Sequence, residues 1–430
     1  MPSFLGMRGT GDWSGNERPQ SWREGTLLYF PNGDMPLTAV TSKGRKEATT
    51  DPRFNWFEKG MATQCGVVTQ AYTDAALTTA VLIGSTYPVG QTIYINVAEA
   101  VAGDFRVGHS ALVADMQTHS HFVWGKVVAV DLNGASSYVA IKLRTAGTAG
   151  YLLVSATNTL YLENLGDINP EGGYIPDALS YDPTEYYNLT QIFRTPIDIT
   201  RTQRKTKMRT GDVMKEAKRE ALMYHGIGIE AAAILGARTE LVGLNGKKER
   251  TTQGIIPWLV ANNSDNVVDY SNSTALSWLV GGEDWFDEKL EQLFRYGRTT
   301  KMALCGSGAL LGISKLVKAR SSFQLTAVTG AYGVTATKWV TPFGEVLLKH
   351  APLLTKRIHN RNSIIMFEPE NLVFRYIDDT HFKDSSEESQ AGHAGFDGTK
   401  QEFLTEGGFE FHFAKTAMYM TSVGLEGTGA

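Results

Sequence analysis

Apolar and polar positions along this 430-residue chain change rhythm several times. Between residues 66 and 160 charges are sparse, and apolar positions alternate with polar ones in "QTIYINV", "SALVAD" and "FVWGKVVAVDLNGASSYVAIKL". Period-2 alternation is the mark of half-buried strands. Asn133-Gly134 separates two β-rich runs, the strongest short hairpin signal, in a loop that can exceed two residues. The pattern predicts a small all-β module. From about Asp212 to Arg238 the period lengthens: Val213, Ala217, Ala221, Tyr224, Gly228, Ala231 and Leu235 form one helical stripe. That helix would be roughly 40 Å long at 1.5 Å per residue. Its first half carries Lys215, Lys218 and Arg219, while "GIGIEAAAILGA" is apolar nearly all round apart from Glu230. Gly226 and Gly228 each cost about 1 kcal/mol against alanine in a helix interior, so a bend or a close backbone approach is expected there.

Beyond residue 251 helix and strand patterns mix. "GGEDWFDEKLEQLFRYGR" places Phe286, Leu290, Leu293 and Phe294 on one helical face, with Gly297 as its stop. "KMALCGSGALLGISKLVKA" reads as a strand followed by a helix, and "TKWVTPFGEVLLKHAPLL" and "NSIIMFEPENLVFRYI" as strands with turns. In the closing "GGFEFHFAKTAMYMTSV", Phe409, Phe411 and Phe413 are expected on one strand face opposite Glu410 and His412. "KDSSEESQAGHAGFDGTK" is a polar surface loop, and no internal repeat is present. Residues 1–60 have little periodicity and many turn residues, the pattern of an extended arm that depends on partners for its burial.

Charge adds one feature. "RTQRKTKMRTG" (residues 201–211) packs Arg201, Arg204, Lys205, Lys207 and Arg209 into eleven positions without an acid. The preceding "NLTQIFRTPIDIT" alternates, so the whole reads as a long strand or ribbon. Just upstream lies an irregular, Lys/Arg-free connector carrying Glu163, Asp167, Glu171, Asp177, Asp182 and Glu185. The basic run contains no aromatic residue for base stacking, and the net charge of -4 gives no general attraction to nucleic acid. It reads as a solvated ribbon or as one paired with the acidic surface of a neighbouring subunit.

The composition, 42% hydrophobic and 10% aromatic, suits a packed protein of two or three domains. Cys65 and Cys305 lie far apart, which fits a reducing compartment better than a disulfide framework. No secretory signal opens the sequence, and no run of apolar residues is long enough to span a membrane. Enzyme signals are weak. Gly306, Gly308 and Gly312 follow a strand and open a helix, but the spacing is GxGxxxG and no acid follows at ribose distance. "GLNGKKERTT" has Lys248 where a phosphate loop needs Ser or Thr. His119 and His121 could share a strand face, yet Asp115 and His109 fit no fixed third-ligand spacing. These residues assign no catalytic group, no cofactor and no metal.

The order of elements, with "RTQRKTKMRTGDVMKEAKREALMYHGIGIEAAAILGAR", "TTQGIIPWLV", "TPFGEVLLKHAPLL", "FEPENLVFRYIDD" and "EFLTEGGFEFHFAKTAMYMTSV", resembles the major capsid proteins of tailed bacteriophages. These share the Hong Kong ninety-seven, or Johnson, fold. The resemblance covers most of residues 30–424 and rests on element order and diffuse patterns. It implies an α+β chain with an N-terminal arm and the start of an extended loop over 1–65, and an inserted β-module over 66–160. The acidic connector and the loop's return strand would occupy 161–210, and a long spine helix with part of a peripheral domain 211–263. An axial domain would span 264–360, and closing strands of the peripheral domain 361–430. It further implies hexamers and pentamers of this chain in an icosahedral shell, with portal, scaffold or decoration proteins as partners and packaged double-stranded DNA held non-specifically. The protein would lie in the virion after assembly in the host bacterial cytoplasm, with no membrane contact. In that setting Arg201, Arg204, Lys205, Lys207 and Arg209 would clamp onto Glu163, Asp167, Asp177, Asp182 and Glu185 of an adjacent subunit. A nanocompartment shell of the encapsulin kind on the same fold, or a nucleotide-dependent enzyme using Gly306–Gly312, are the alternatives.

Overall fold

The computed structural model describes residues 45–82, 85–115, 122–148, 152, 159–206, 212–319, 325–331, 334–356, 360–384 and 398–428. The part of the expected arm before residue 45, residues 385–397 of the expected polar loop, His119 and His121 lie outside the described residues, while the loop's ends, 383–384 and 398–400, are strand instead. The chain divides into two compact units, Phe57–Thr184 and the described parts of 1–56 with 185–430.

The smaller unit is built on alternation. Its strands are β1 (Cys65–Tyr72), β2 (Thr92–Val97), β3 (His109–Asp115), β4 (Phe122–Asp131), β5 (Tyr138–Leu143) and β6 (Leu160–Asp167). They close into a barrel in the order β6-β1-β2-β5-β4-β3, every pairing antiparallel. Closure leaves no strand edge open to another chain. Ile93, Ile95, Val113, Val123, Val127, Val139, Ile141, Leu160 and Leu162 fill the interior. Phe122 and Trp124 point outward from the same strand that turns Val123 and Val127 inward. Gly125 lies close to the neighbouring strand, and a Cβ there would press to 3.1 Å from the Lys142 carbonyl oxygen. The Asn133-Gly134 signal marks a real β4–β5 hairpin whose loop exceeds two residues. Gly134 adopts φ +53°, and the loop is closed by the Ser137 hydroxyl, which accepts from Asn133 N (2.8 Å) and donates to Gly134 O (2.8 Å).

One boundary differs from the expectation. The acidic connector was expected to begin at 161, but β6 runs to Asp167 and closes the barrel between β1 and β3. Leu160 and Leu162 point inward while Glu163 faces solvent, so the outward half of a barrel strand carries the connector's first charges.

In the larger unit, a seven-stranded mixed sheet runs in the order 267–269, 418–421, 364–367, 300–305, 345–350, 334–340, 325–331. Its central strand β8 (Thr300–Cys305) is parallel to 345–350 and antiparallel to 364–367. Both faces of β8 are covered, which explains its unbroken apolar run. Met302 and Leu304 join a core with helices α2 (Val213–Leu235) and α3 (Ile255–Asn262). Ala303 and Cys305 join another, with helices α4 (Trp278–Phe294) and α5 (Ser307–Ala319). A second sheet pairs the strand Arg45–Ala48 with β9 (Leu372–Asp384), then β10 (Gly398–Phe411), then β7 (Gln191–Thr200).

The 23-residue helix α2 begins where Asp212 caps it, its carboxylate accepting from Met214 N at 2.9 Å. Its buried line is Ala221, His225, Ile229 and Ala233, not the expected one through Tyr224, which is 58% exposed. The reason is His225, whose Nδ1 and Nε2 lie 3.0 and 2.7 Å from the Thr195 and Thr405 hydroxyls, so a polar side chain takes a core position. The helix continues without interruption through Gly226 and Gly228, and a Cβ at Gly228 would meet nothing within 4 Å. The closing strand also departs from its pattern. Phe409 and Phe411 are buried as expected, but Phe413 turns to φ +52° beyond the strand end and is 47% exposed.

Candidate subunit interface

The basic run does not continue β7 as a ribbon. Residues Arg201–Lys205 form a short helix, α1, because Thr200 caps it by accepting from Gln203 N at 3.3 Å. Thr200 and Gln203 have the T-x-x-Q spacing of a capping box, the local signal that could have revealed the turn. Arg201, Arg204 and Lys205 are exposed together on this turn. Lys207 and Arg209 lie outside the described residues. The preceding strand neutralises its own charges: Arg194 donates to both Glu402 oxygens at 2.8 and 2.6 Å. The hydrogen bond from Arg194 is the main cause holding the Glu402 carboxyl below the usual glutamate value.

The five candidate acids differ in availability. Glu163 is exposed on the outer face of β6. Asp167 is already engaged, accepting from Arg106 through both oxygens at 2.7 and 2.8 Å, with His109 Nε2 at 3.5 Å. Burial, then the nearby Arg106 charge, lowers the His109 pKa against the pull of Asp167. Glu185 accepts from the Asn55 side chain. Asp177 and Asp182 are exposed within 168–183, a stretch without helix or strand. Glu163, Asp167, Asp177 and Asp182 belong to the barrel unit, whereas the cationic turn and Glu185 belong to the larger unit.

Exposed apolar side chains were missed by charge-led reading. The hairpin of Thr239–Val242 and Lys248–Thr251 presents Leu241, Val242 and Leu244, the last wholly exposed. Its base is held by Glu240, which pairs with Lys248 and with Arg250 at 2.8 Å. Leu276, Leu279 and Val280 stand out at the start of α4, and Tyr174 and Ile175 in the irregular stretch. The "ELVGLNG" run, apolar residues directly beside a turn, was the available signal.

The interior holds the chain's most demanding electrostatic group. Lys301 is fully buried, and its Nζ donates to Glu368 Oε1 (2.8 Å), Tyr296 O (3.0 Å) and Thr416 O (3.2 Å). Glu368 also accepts from Arg298 N at 2.7 Å and Asn371 Nδ2 at 3.0 Å. Burial pulls the Lys301 pKa down and Glu368 resists it. The turn closing α4 requires Gly297, with φ +82°, since a Cβ there would fall 2.0 Å from Glu368 Oε1. Every donor and acceptor of this pair is used in tying elements together.

The glycine run that suggested a nucleotide site is instead a packing device. A Cβ on Gly306 would stand 2.2 Å from Arg361 O, one on Gly308 2.6 Å from Asn362 Oδ1, and one on Gly312 2.5 Å from Gly424 Cα. The N–H groups opening α5 are taken: Gly308 N and Ala309 N donate to Arg361 O at 2.9 and 3.1 Å, Ser307 N to Thr355 Oγ1 at 3.1 Å. A phosphate would have to displace all of them. Among the described residues no three His, Cys, Asp or Glu side chains are grouped to hold a metal, and no helix is long and apolar enough to cross a membrane.

The SU10 major capsid protein family model matches residues 24–424. A major capsid protein of Pseudomonas phage PaMx41 is 25% identical over 339 residues, 77% of this chain and 72% of the relative. Among solved structures, one of Mycobacterium phage Bobi aligns with 96% of this chain and 94% of its own at 8% identity and TM-score 0.45. The capsid of an empty GTA particle aligns with 95% and 96% at 8% identity and TM-score 0.43.

Proposed function

This chain belongs to the SU10 major capsid protein family, and from that premise we infer how it acts as a shell subunit. It is a phage major capsid protein whose copies assemble into an icosahedral capsid shell. The observation that carries the assignment is the family match along nearly the whole chain, residues 24–424. Its role is structural, and we read no catalysis into it. The glycine run of α5, engaged in packing, gives the enzyme alternative no support.

On this reading the chain follows the Johnson-type plan. Helix α2 is the spine of a peripheral domain with β7, β9 and β10, and the seven-stranded sheet with α4 and α5 is the axial domain around the five- and six-fold axes. The barrel is an insertion in the extended loop, whose return strand is β7. What supports this is the element order together with the apolar groups left in solvent, Leu241, Val242, Leu244, Leu276 and Leu279, which contacts between copies would bury. The cationic turn of Arg201, Arg204 and Lys205, with Lys207 and Arg209 next in sequence, meets acidic surface on an adjacent subunit. Glu163, Asp177 and Asp182 are its free-standing candidates, since Asp167 and Glu185 have partners within the chain. Portal, scaffold or decoration proteins and packaged double-stranded DNA are the further partners, and the virion is its destination after assembly in the host cytoplasm.

Sedimentation velocity of the purified protein tests the shell reading. Fast-sedimenting particles of uniform size are expected; a stable monomer or small oligomer under all assembly conditions would overturn it.

A further inference from the structure

The barrel's outer face concentrates positive charge that its own chain leaves unanswered. Lys126 on β4 and Lys142 on β5 are direct cross-strand partners, an arrangement in which like charges repel and weaken the strand pair. Arg144, just past the end of β5, is exposed and lines the same groove as Lys126 and Lys142. Among the described residues no carboxylate pairs with any of the three. They border a groove of about 680 Å³ that also contains Val89, Val107 and Val128 and, among the described residues, no acid. Those three valines are 62%, 56% and 38% exposed, far from the burial a barrel side chain can reach.

The same unit exposes the complementary chemistry. Residues 168–183 carry Glu171, Asp177 and Asp182 and no lysine or arginine. Tyr174 and Ile175, between those acids, are 100% and 95% exposed. The stretch leaves the barrel where Ile168 N donates to Gly108 O at 2.8 Å, next to the groove's Val107. Within one chain it nevertheless stands in solvent, so the groove is not filled by its own segment.

We propose that residues 171–182 of one copy seat in the Lys126–Lys142–Arg144 groove of a second copy. Tyr174 and Ile175 cover the exposed valines, while Asp177 and Asp182 relieve the repulsion between the lysines. This barrel-to-barrel contact rests on the shell reading above. It commits Asp177 and Asp182 to the barrel and leaves Glu163 to the cationic turn.

The test is zero-length carbodiimide crosslinking of particles assembled from isotopically light and heavy chains mixed in equal amounts, read by mass spectrometry. The expected result is Lys126 or Lys142 joined to Asp177 or Asp182 in mixed light–heavy pairs. Unmixed pairs alone would mean a contact within one chain and would overturn the proposal. Crosslinks from Asp177 or Asp182 to Lys205 would favour the cationic turn as their partner and overturn it equally. Links from Lys126 and Lys142 to another protein would also sink it. Failure of the unaltered chain to form any particles would refute the shell reading itself and this contact with it. As a second arm, Lys126→Glu with Lys142→Glu should abolish these links and loosen the particles. Adding Asp177→Lys with Asp182→Lys should restore particle integrity; no restoration, with barrels that remain folded, would contradict the exchange.

Discussion

Changing Glu368 to glutamine leaves the Lys301 ammonium in a fully buried site with neutral acceptors alone, Tyr296 O, Thr416 O and the glutamine amide oxygen, and no counter-charge. Removing one partner from a buried ion pair costs about 3–5 kcal/mol, because an uncompensated charge remains out of water. Glutamine is isosteric and can still accept from Arg298 N, so the lower end, about 3 kcal/mol, is expected. That is a large share of a typical stability of roughly 5–15 kcal/mol. At roughly 2 °C per kcal/mol, the low end that suits a unit this large, Tm falls by about 6 °C. Dissociated subunits followed by calorimetry and by urea unfolding supply the measurement. The decisive comparison is Lys301→Met combined with Glu368→Gln. With no charge left to strand, the double variant should regain all but about 1 kcal/mol of the single-variant loss. The reasoning fails if Glu368→Gln alone costs less than about 1 kcal/mol, or if the double variant loses as much as both singles together.

Other expectations are checked more briefly. The Glu402 carboxyl, held down chiefly by the Arg194 hydrogen bond, gives stability that is fully present above the ordinary glutamate value of 4.5 and is lost as pH falls through its lower folded value. Glu402→Gln should therefore remove part of the acid-induced fall in stability; an unchanged pH profile would contradict the assignment. Gly306→Ala places a Cβ 2.2 Å from Arg361 O and should destabilise the larger unit by about 1–3 kcal/mol, measurable by urea unfolding. Arg204→Glu with Lys205→Glu should block particle formation while the subunit's circular dichroism and Tm stay within error, and normal particles from this variant would rule out the cationic turn as an assembly joint.

The elements most legible in the sequence were those whose periodicity matched a single buried face. Val123, Val127, Val139 and Ile141 announce the β4–β5 hairpin because apolar residues recur at every second position on each side of Asn133-Gly134. The β6 strand hid behind Glu163 and Asp167, since outward charges on a short strand look the same as charges in a loop. The buried line of α2 was displaced because His225 satisfies itself on Thr195 and Thr405, and pattern reading gives no credit to a polar side chain with internal partners. Phe413 failed because a left-handed residue reverses side-chain direction without any change in hydrophobic pattern. In the candidate interface, the positive charge of residues 201–205 and the acidity of 171–182 were visible as composition. That Asp167 belongs to Arg106, and that Lys126 faces Lys142, depend on strand register, which composition does not encode.

The central claim is that this chain builds a closed shell from many copies of itself. Electron cryomicroscopy of particles formed by the protein, averaged with icosahedral symmetry to a resolution that traces the backbone, tests it most directly. The account predicts closed shells in which the seven-stranded sheet, helix α2 and the six-stranded barrel of this chain fit every subunit position. Open aggregates, or shell density into which this chain cannot be traced, would contradict it.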